Sequence, residues 1–205
     1  MNDQSDTRDQ ILAAARARIT HYGYAKTTMA EIASDCAMSV GNIYRFFASK
    51  LDIAEALARK ANLPLHQKSA ALVRAAGSAP EKLHAIHQTA LQETFRKLDQ
   101  EPKLVEVADI LSRQRPEYTD EELAQERVFI AQILEQGVSE GHFAPIEDPA
   151  RLADMLQSAT MKFRFPQMFS PLPLPKLETE LRGILDIVIS GLAVPIKASP
   201  GSNNE

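Results

Sequence analysis

The sequence predicts an all-α protein of about nine or ten helices. Apolar residues recur three and four positions apart in nearly every segment, which is the spacing of one helix face. Sustained apolar and polar alternation is absent, as are the Asn-Gly and Asp-Gly pairs typical of hairpins. Helix-start signals recur instead. A serine or threonine stands three residues before a glutamate or glutamine at 7–10, 28–31, 78–81 and 119–122.

The first four helices are short and are expected to share one small core. Their predicted ranges are 7–22, 29–36, 40–46 and 50–62. Gly23 ends the first helix, Thr28, Ser39 and Ser49 are suited to cap the other three, and Pro64 is expected to break the fourth. None of these helices is long enough to be stable alone. Because the second and third meet at a tight turn, they predict a three-helix bundle with a helix-turn-helix.

The rest of the chain is expected to form a larger helical body. Its predicted helices are 65–76, 80–99, 102–113, 120–140, 149–165 and 175–192. Gly77 ends one of them, and Asp148 followed by Pro149 is typical of an N-cap and a first helical position. A helix at 50–76 is expected to link the first domain to the second. The predicted parts are a helix-turn-helix domain at 1–50, a body at 51–195 and a disordered tail at 196–205.

Composition indicates a globular protein of the cytoplasm. The hydrophobic content of 44% is ordinary, and no run approaches the ~20 apolar residues that span a bilayer. The polar start does not fit a secretory signal, and the single cysteine, Cys36, allows no intrachain disulfide. The net charge is −4, but residues 1–60 hold eight basic and seven acidic residues. This distribution permits a first part that faces nucleic acid on an acidic body.

The third helix has features of a helix that reads DNA. It starts with small residues, which let a backbone approach DNA closely. Asn42 can bind a base edge or a phosphate, and Val40 can contact a thymine methyl group. Tyr44 and Lys50 are placed to donate to phosphates, and Arg45 could do either. The candidate DNA-binding residues are Thr27, Thr28, Ser39, Val40, Gly41, Asn42, Tyr44, Arg45 and Lys50. The alternative is that the ring of Tyr44 only packs in a core.

Residues 7–57 also carry a specific pattern. It reads Gly23-Tyr24, Thr27-Thr28, Ile32-Ala33 and Ser39-x-Gly41-x-Ile43-Tyr44-x-x-Phe47-x-x-Lys50. This stretch resembles the TetR family of bacterial transcriptional regulators. The chain departs from the family at three positions. It has Ala37 where a glycine is common, Val40 where a lysine or arginine is common, and Leu51 where a glutamate is common. The valine suggests one fewer phosphate or guanine contact and an A/T-leaning half-site.

The resemblance implies a regulator, usually a repressor, that binds a palindromic operator of double-stranded DNA as a homodimer. A small-molecule effector would release it. We expect the last two helices to form the dimer interface, because the final helix is apolar over more than one face. The candidate interface residues are Leu152, Leu156, Ala159, Leu181, Leu185, Val188 and Ile189. The alternative is that these residues form intrachain core only.

The effector is expected to bind in the body. The candidate lining residues are His87, Leu91, Phe95, Leu111, Phe129, Ile133, Met155 and Phe163. This lining suits an apolar or aromatic ligand, although each residue could be ordinary core. No cofactor or metal is expected, because His84 and His87 lack a third ligand group nearby. Cys36 is expected to be a buried structural thiol, and the segment 161–175 is interpreted as a lip of either the dimer edge or the pocket mouth.

Two other classes of protein were weighed. An enzyme is disfavoured, because no phosphate loop, nucleophile elbow, metal cluster or paired-carboxylate motif is present. A helical interaction protein without DNA binding, and an activator of the same family, remain alternatives.

Overall fold

The computed structural model describes residues 3–165 and 172–193, and this part of the chain is helical. It confirms the all-α prediction: the only strand-like pairing in it is one isolated bridge between Phe143 and Ala193. The helices are α1 Asp3–Tyr22, α2 Met29–Asp35, α3 Val40–Ile43, α4 Lys50–Arg74, α5 Ala79–Gln100, α6 Pro102–Gln114, α7 Pro116–Ser139, α8 Pro149–Ala159, α9 Met161–Arg164 and α10 Leu174–Leu192. The predicted tail at 196–205 and residues 166–171 of the predicted lip lie outside the described residues.

Most of the predicted helix starts are present as capping interactions. Thr28 and Ser78 each form a capping box with the glutamate three residues later. Side chains also cap three other helices, at Ser39, Ser49 and Asp148. Two predicted boxes are wrong, because Thr7 lies inside α1 and Thr119 lies inside α7. Prolines at the first helical positions of α6 and α7 start those helices without a side-chain cap.

The turn between α2 and α3 has a left-handed residue at its centre. Ala37 has a φ of 53°, and its N–H donates to the carbonyl of Ser34. The N–H of Met38 donates to the carbonyl of Ala33, so the two bonds form a Schellman motif that closes α2. Beyond Ile43 the chain continues in i→i−3 hydrogen bonds up to Phe46, which explains why α3 is shorter than its predicted range of 40–46.

Three boundaries in the body differ from the prediction. Pro64 does not break the chain into two helices, since α4 runs through it from Lys50 to Arg74. α7 begins at Pro116 rather than at residue 120. The predicted helix at 149–165 is divided at Thr160, whose backbone leaves the helical conformation between α8 and α9.

The buried apolar residues form two separate cores. The first core joins α1, α2, α3 and the start of α4, and it also takes in Val107 and Leu111 of α6 and Tyr118 of α7. The second core joins α5, α7, α8, α9 and α10. The first three helices therefore do not close their core alone, because α6 packs against α1 and α4. The division into domains at residue 50 stays a prediction.

Candidate DNA-binding surface and ligand cavity

The helix-turn-helix exposes most of the side chains that sequence analysis assigned to DNA. Val40 and Tyr44 are 39% and 50% exposed, which is unusual for large apolar and aromatic side chains. Ser39 and Gly41 are exposed, and Asn42 is half-buried. Two other candidates, Thr28 at the N-cap of α2 and Arg45 just after α3, are exposed as well. One continuous polar and apolar surface therefore follows α3 from its N-cap.

Two candidate DNA contacts are engaged inside the protein. Thr27 is fully buried, and its hydroxyl donates to the carbonyl of Gly23 at 2.9 Å. The ammonium of Lys50 donates to the carbonyls of Tyr24 and Thr27 at 2.8 and 2.7 Å, and it lies 4.1 Å from the centre of the Tyr24 ring. Burial lowers the pKa of Lys50. Both residues thus fix the loop between α1 and α2.

The basic side chains of residues 3–60 differ in whether they already have a partner within the protein. Eight lysine and arginine side chains lie in residues 3–60. Six of them are held by carboxylates, by backbone carbonyls or by an aromatic ring: Arg8, Arg16, Arg18, Lys50, Arg59 and Lys60. Lys26 and Arg45 are exposed, and their side chains have no such partner among the described residues. Sequence analysis missed Lys26, although its place beside Thr27 and Thr28 was a usable signal.

A cavity of about 50 Å³ lies in the body between α4, α5, α7, α8, α9 and α10. Most of its wall is apolar, with Leu65, Ile86, Leu91, Ile130, Phe163 and Leu181. Drug-sized ligands occupy about 300–1,000 Å³, and an engineered cavity of about 150 Å³ binds benzene. The present cavity is therefore too small for an organic ligand, and helices must move apart before it holds one.

Three of the predicted pocket residues, His87, Leu91 and Phe163, line this cavity. Leu111 instead belongs to the first core, and Met155 is 59% exposed. The other three pack within or against the second core without lining the cavity: Phe95, Phe129 and Ile133. Periodicity placed these residues on apolar faces correctly but did not show which faces meet at the cavity.

The charged groups in the cavity wall neutralise each other. Arg164 donates from Nε to Glu126 at 2.8 Å and from Nη1 to the hydroxyl of Thr94 at 2.9 Å. The amide of Gln157 accepts from Arg127 at 2.8 Å and donates to the carbonyl of Leu123 at 3.1 Å. These polar side chains are therefore already satisfied within the protein.

A second polar cluster joins α4, α5 and α7 without lining the cavity. Lys97 donates to the side-chain oxygen of Asn62 at 3.0 Å, and the amide nitrogen of Asn62 donates to Tyr118 and Glu122 at 3.2 and 3.0 Å. Burial, together with the nearby positive charge of Arg164, lowers the pKa of Lys97 to about 8. Burial also raises the pKa of Tyr118. The cluster holds the middle of α4 against the body.

The candidate dimer residues divide by burial. α8 packs chiefly on α7, and α10 packs chiefly on α5. Three candidates point into the subunit's own core and are nearly inaccessible: Leu156, Leu181 and Leu185. Leu152, Val188 and Ile189 are half-buried against the same core, whereas Ala159 is exposed. The most exposed apolar side chains on these two helices are Met155 and Ile187, at 59% and 76%.

The remaining candidates have local partners. His84 lies 2.9 Å from a carboxylate oxygen of Asp186, and Nδ1 of His87 lies 2.9 Å from the carbonyl of Leu83. Cys36 is buried, and burial raises the pKa of its thiol, which makes the thiol less reactive. Within the described ranges, no helix has an apolar stretch long enough to cross a bilayer.

An exposed helix-turn-helix on a helical body with its own cavity defines a DNA-binding regulator of the ligand-responsive class. Residues 11–57 match the model of "bacterial regulatory proteins, tetR family", and residues 79–185 match that of a "tetracyclin repressor-like, C-terminal domain". The chain belongs to the TetR family of transcriptional regulators.

Two repressors and one solved structure are similar to this chain. The chain is 26% identical over 139 residues to the HTH-type transcriptional repressor KstR2 of Mycobacterium tuberculosis, which covers 67% of this chain and 70% of the relative. It is 31% identical over 121 residues to the HTH-type transcriptional repressor BepR of Brucella suis, and this match covers 58% of this chain and 55% of the relative. The structure of a TetR/AcrR-family regulator from Thermobifida fusca superimposes with a TM-score of 0.69 at 22% identity. The superposition covers 88% of this chain and 96% of the other.

Proposed function

We propose that the protein is a homodimeric repressor, not an enzyme, that binds a palindromic DNA operator in the cytoplasm and releases it when a small molecule enters the body. The observation that carries this proposal is the exposed surface of α3, together with the exposed cations Lys26 and Arg45, which have no ionic, carbonyl or aromatic partner among the described residues. Both characterised relatives described above are named as repressors. Because repression depends on where the operator lies, an activator remains the second candidate.

The proposed DNA contacts follow from exposure. Val40 is exposed and Asn42 is half-buried on α3, and both are assigned to base edges, while Tyr44 is assigned to a phosphate. Arg45 and Lys26 supply positive charge on either side of α2 and α3. Three exposed residues complete the set: Thr28, Ser39 and Gly41. We omit Thr27 because it is buried, and we assign Lys50 to positioning the loop before α2.

The proposed dimer uses the outer faces of α8 and α10. Met155, Ala159 and Ile187 are the candidate partner contacts, because they are exposed while the leucines behind them fill the subunit's own core. A two-fold axis through these helices would place two copies of α3 on one face of DNA. Half-sites about one helical turn (~34 Å) or a multiple of it apart would then be read together.

The proposed route from effector to DNA is α4. Leu65 and Ser69 of this helix line the cavity, and Lys50 at its first position holds the loop before α2. Opening the cavity therefore displaces a helix that ends at the DNA-binding surface. An effector that prefers the DNA-incompetent state by ~100-fold supplies ~2.7 kcal/mol of coupling.

Selection of random duplex DNA on the purified protein, followed by sequencing, tests the proposed function. We expect an enriched palindrome. Asn42→Ala should change the preferred sequence, and Arg45→Met should weaken binding to every sequence and reduce the salt slope by about one unit. If the folded protein enriches no sequence, and both variants behave like the wild type, the regulator proposal fails and an interaction protein without DNA binding is favoured.

A further inference from the structure

Two polar side chains in the cavity wall have no hydrogen-bond partner among the described residues, and one of them presents a fully buried nitrogen. The side chain of His87 on α5 is only 9% exposed, and its Nε2 makes no hydrogen bond within the described residues. Ser69 on α4 is 5% exposed, and its hydroxyl likewise has no partner in the described part of the chain. Both residues line the cavity. Leaving the buried Nε2 of His87 without a partner is costly, and the hydroxyl of Ser69 is free to bond in the same cavity. Together they point to a ligand that bonds to both.

The tautomer of His87 follows from its other nitrogen. Nδ1 lies 2.9 Å from the carbonyl oxygen of Leu83, and a carbonyl can only accept, so Nδ1 carries the proton. Burial lowers the pKa of this imidazole, which keeps the ring neutral. Nε2 is then an acceptor. It is also the ring nitrogen farther from the backbone of α5.

The cavity offers no net charge to a ligand. Among the described residues that line it, the charged side chains are Glu126 and Arg164, which bind each other, and the rest of this lining is chiefly apolar. A carboxylate placed here would gain no free cation, and it would present an acceptor to the acceptor of His87. A hydroxyl group differs, because it can donate to Nε2 of His87 and accept from the hydroxyl of Ser69.

We propose that the effector of this protein is a neutral, largely apolar alcohol or phenol whose hydroxyl group donates to Nε2 of His87 and accepts from Ser69. This inference rests on the proposed function, because it assigns the cavity as the effector site. The rest of the ligand packs against the apolar wall and opens the cavity as it enters.

Binding of matched probes to the full-length protein tests the inference by titration calorimetry and thermal shift at pH 7.5. Phenol and 2-naphthol carry the hydroxyl group, anisole and 2-methoxynaphthalene lack the donor, and benzoate and 2-naphthoate are anions of similar shape. The probes form a one-ring set and a two-ring set. In at least one set, we expect the hydroxyl compound to bind about 10-fold more tightly than its methyl ether, and the anion to bind most weakly. The inference is overturned if no alcohol binds, or if an ether or an anion binds as tightly.

Variants of three cavity residues test whether His87 and Ser69 cause the preference for alcohol over ether. His87→Phe keeps the ring shape and removes Nε2, so the preference for alcohol over ether should fall to within about 3-fold. Ser69→Ala should reduce the preference partially. Ile130→Val also changes the wall but removes no polar atom, so it should keep the wild-type ratio. An unchanged ratio in folded His87→Phe contradicts the assignment.

The outcomes separate this inference from the proposed function. If an operator is selected but alcohols are not preferred, the effector class is wrong and the regulator stands. If alcohols are preferred but no operator is selected, the site stands and the DNA-binding proposal fails.

Discussion

At the scale of single residues, Lys50 occupies the junction between the DNA-binding surface and the body. Its ammonium binds two carbonyls of the loop that precedes α2, while its backbone starts α4. The loop also contains the buried hydroxyl of Thr27, which binds the carbonyl of Gly23. The loop is therefore held by side chains at both of its ends, and the orientation of α2 and α3 depends on it.

We predict that Lys50→Met lowers the melting temperature by several degrees, because hydrogen bonds from a charged donor contribute about 1.5–3 kcal/mol. Operator affinity should fall for all sequences, since the loop before α2 loses its support. The slope of log affinity against log salt should stay close to that of the wild type. Thermal denaturation and binding at several salt concentrations measure the two effects.

Arg45→Met is the matched control for Lys50→Met. It removes an exposed cation without a partner in the described structure, so it should leave the melting temperature unchanged and reduce the salt slope by about one unit. If Lys50→Met instead reduces the slope by one unit and melts like the wild type, Lys50 binds phosphate directly and its positioning role is wrong.

The sequence predicted the outward residues of α3 better than the lining of the cavity. Val40, Asn42 and Tyr44 follow from one local pattern, because a short helix has few faces and Ile43 must be buried. Leu111 and Met155 were misplaced because helical periodicity shows which residues share a face, but not which other helix covers that face. Unpartnered atoms such as Nε2 of His87 have no sequence signal at all.

At the scale of helices, capping residues were more reliable guides than prolines. Side-chain caps at Thr28, Ser39 and Ser49 began helices as predicted, since the bonds that define them are local. Pro64 removes one backbone hydrogen bond within α4, but Leu57 and Leu65 on either side of it are buried. Packing along the whole helix therefore outweighs the local cost, which no local pattern could show.

Gly137 allows α7 to approach the loop that follows it. A Cβ atom at this position would lie 2.1 Å from the ring of Phe143 and 2.9 Å from the Cβ of Ala79. We predict that Gly137→Ala destabilises the protein by roughly 1–3 kcal/mol, although alanine favours helix by up to ~1 kcal/mol. Chemical denaturation measures the change in the free energy of unfolding.

A double variant tests the cause of this destabilisation. Phe143→Leu alone should be destabilising, because the ring is 2% exposed and its removal leaves a gap. In the Phe143→Leu background, however, Gly137→Ala should cost less than it does in the wild type. Equal costs in both backgrounds would show that the clash with Phe143 is not the reason.

At the scale of the whole molecule, the proposed dimer makes a prediction about assembly. Ile187→Glu places a charge on the most exposed large apolar side chain among the described residues. We expect a monomer by light scattering, with the helix content of the wild type by circular dichroism, because burying an unpaired carboxylate at an interface is costly. Binding to the palindrome should fall sharply, while binding to a single half-site should stay weak and unchanged.

Leu63→Glu is the control for Ile187→Glu. Leu63 is 52% exposed on α4, a helix outside the proposed interface, so its replacement should leave the dimer intact. Dissociation caused by both substitutions would indicate a general loss of stability. A dimeric Ile187→Glu protein would move the interface elsewhere.

The fold class was predictable from the sequence because every segment carried the same helical period and the helix starts were marked. The arrangement of the body was not, because helix pairing depends on contacts between distant segments. Three predicted dimer residues, Leu156, Leu181 and Leu185, fill the subunit's own core instead, since an apolar face on a single helix does not show whether its own chain or a partner covers it.

The position of α6 limits how this regulator can be recombined with others. A hybrid that joins residues 1–57 to the effector domain of a relative would exchange the DNA-reading helices but leave behind Val107, Leu111 and Tyr118, which complete their core. Such a graft would mismatch buried side chains where α6 and α7 pack against the DNA-binding helices. It would therefore destabilise the transferred DNA-binding helices. A chimera that transplants these three residues together with the DNA-binding helices should keep the operator specificity and the stability of those helices.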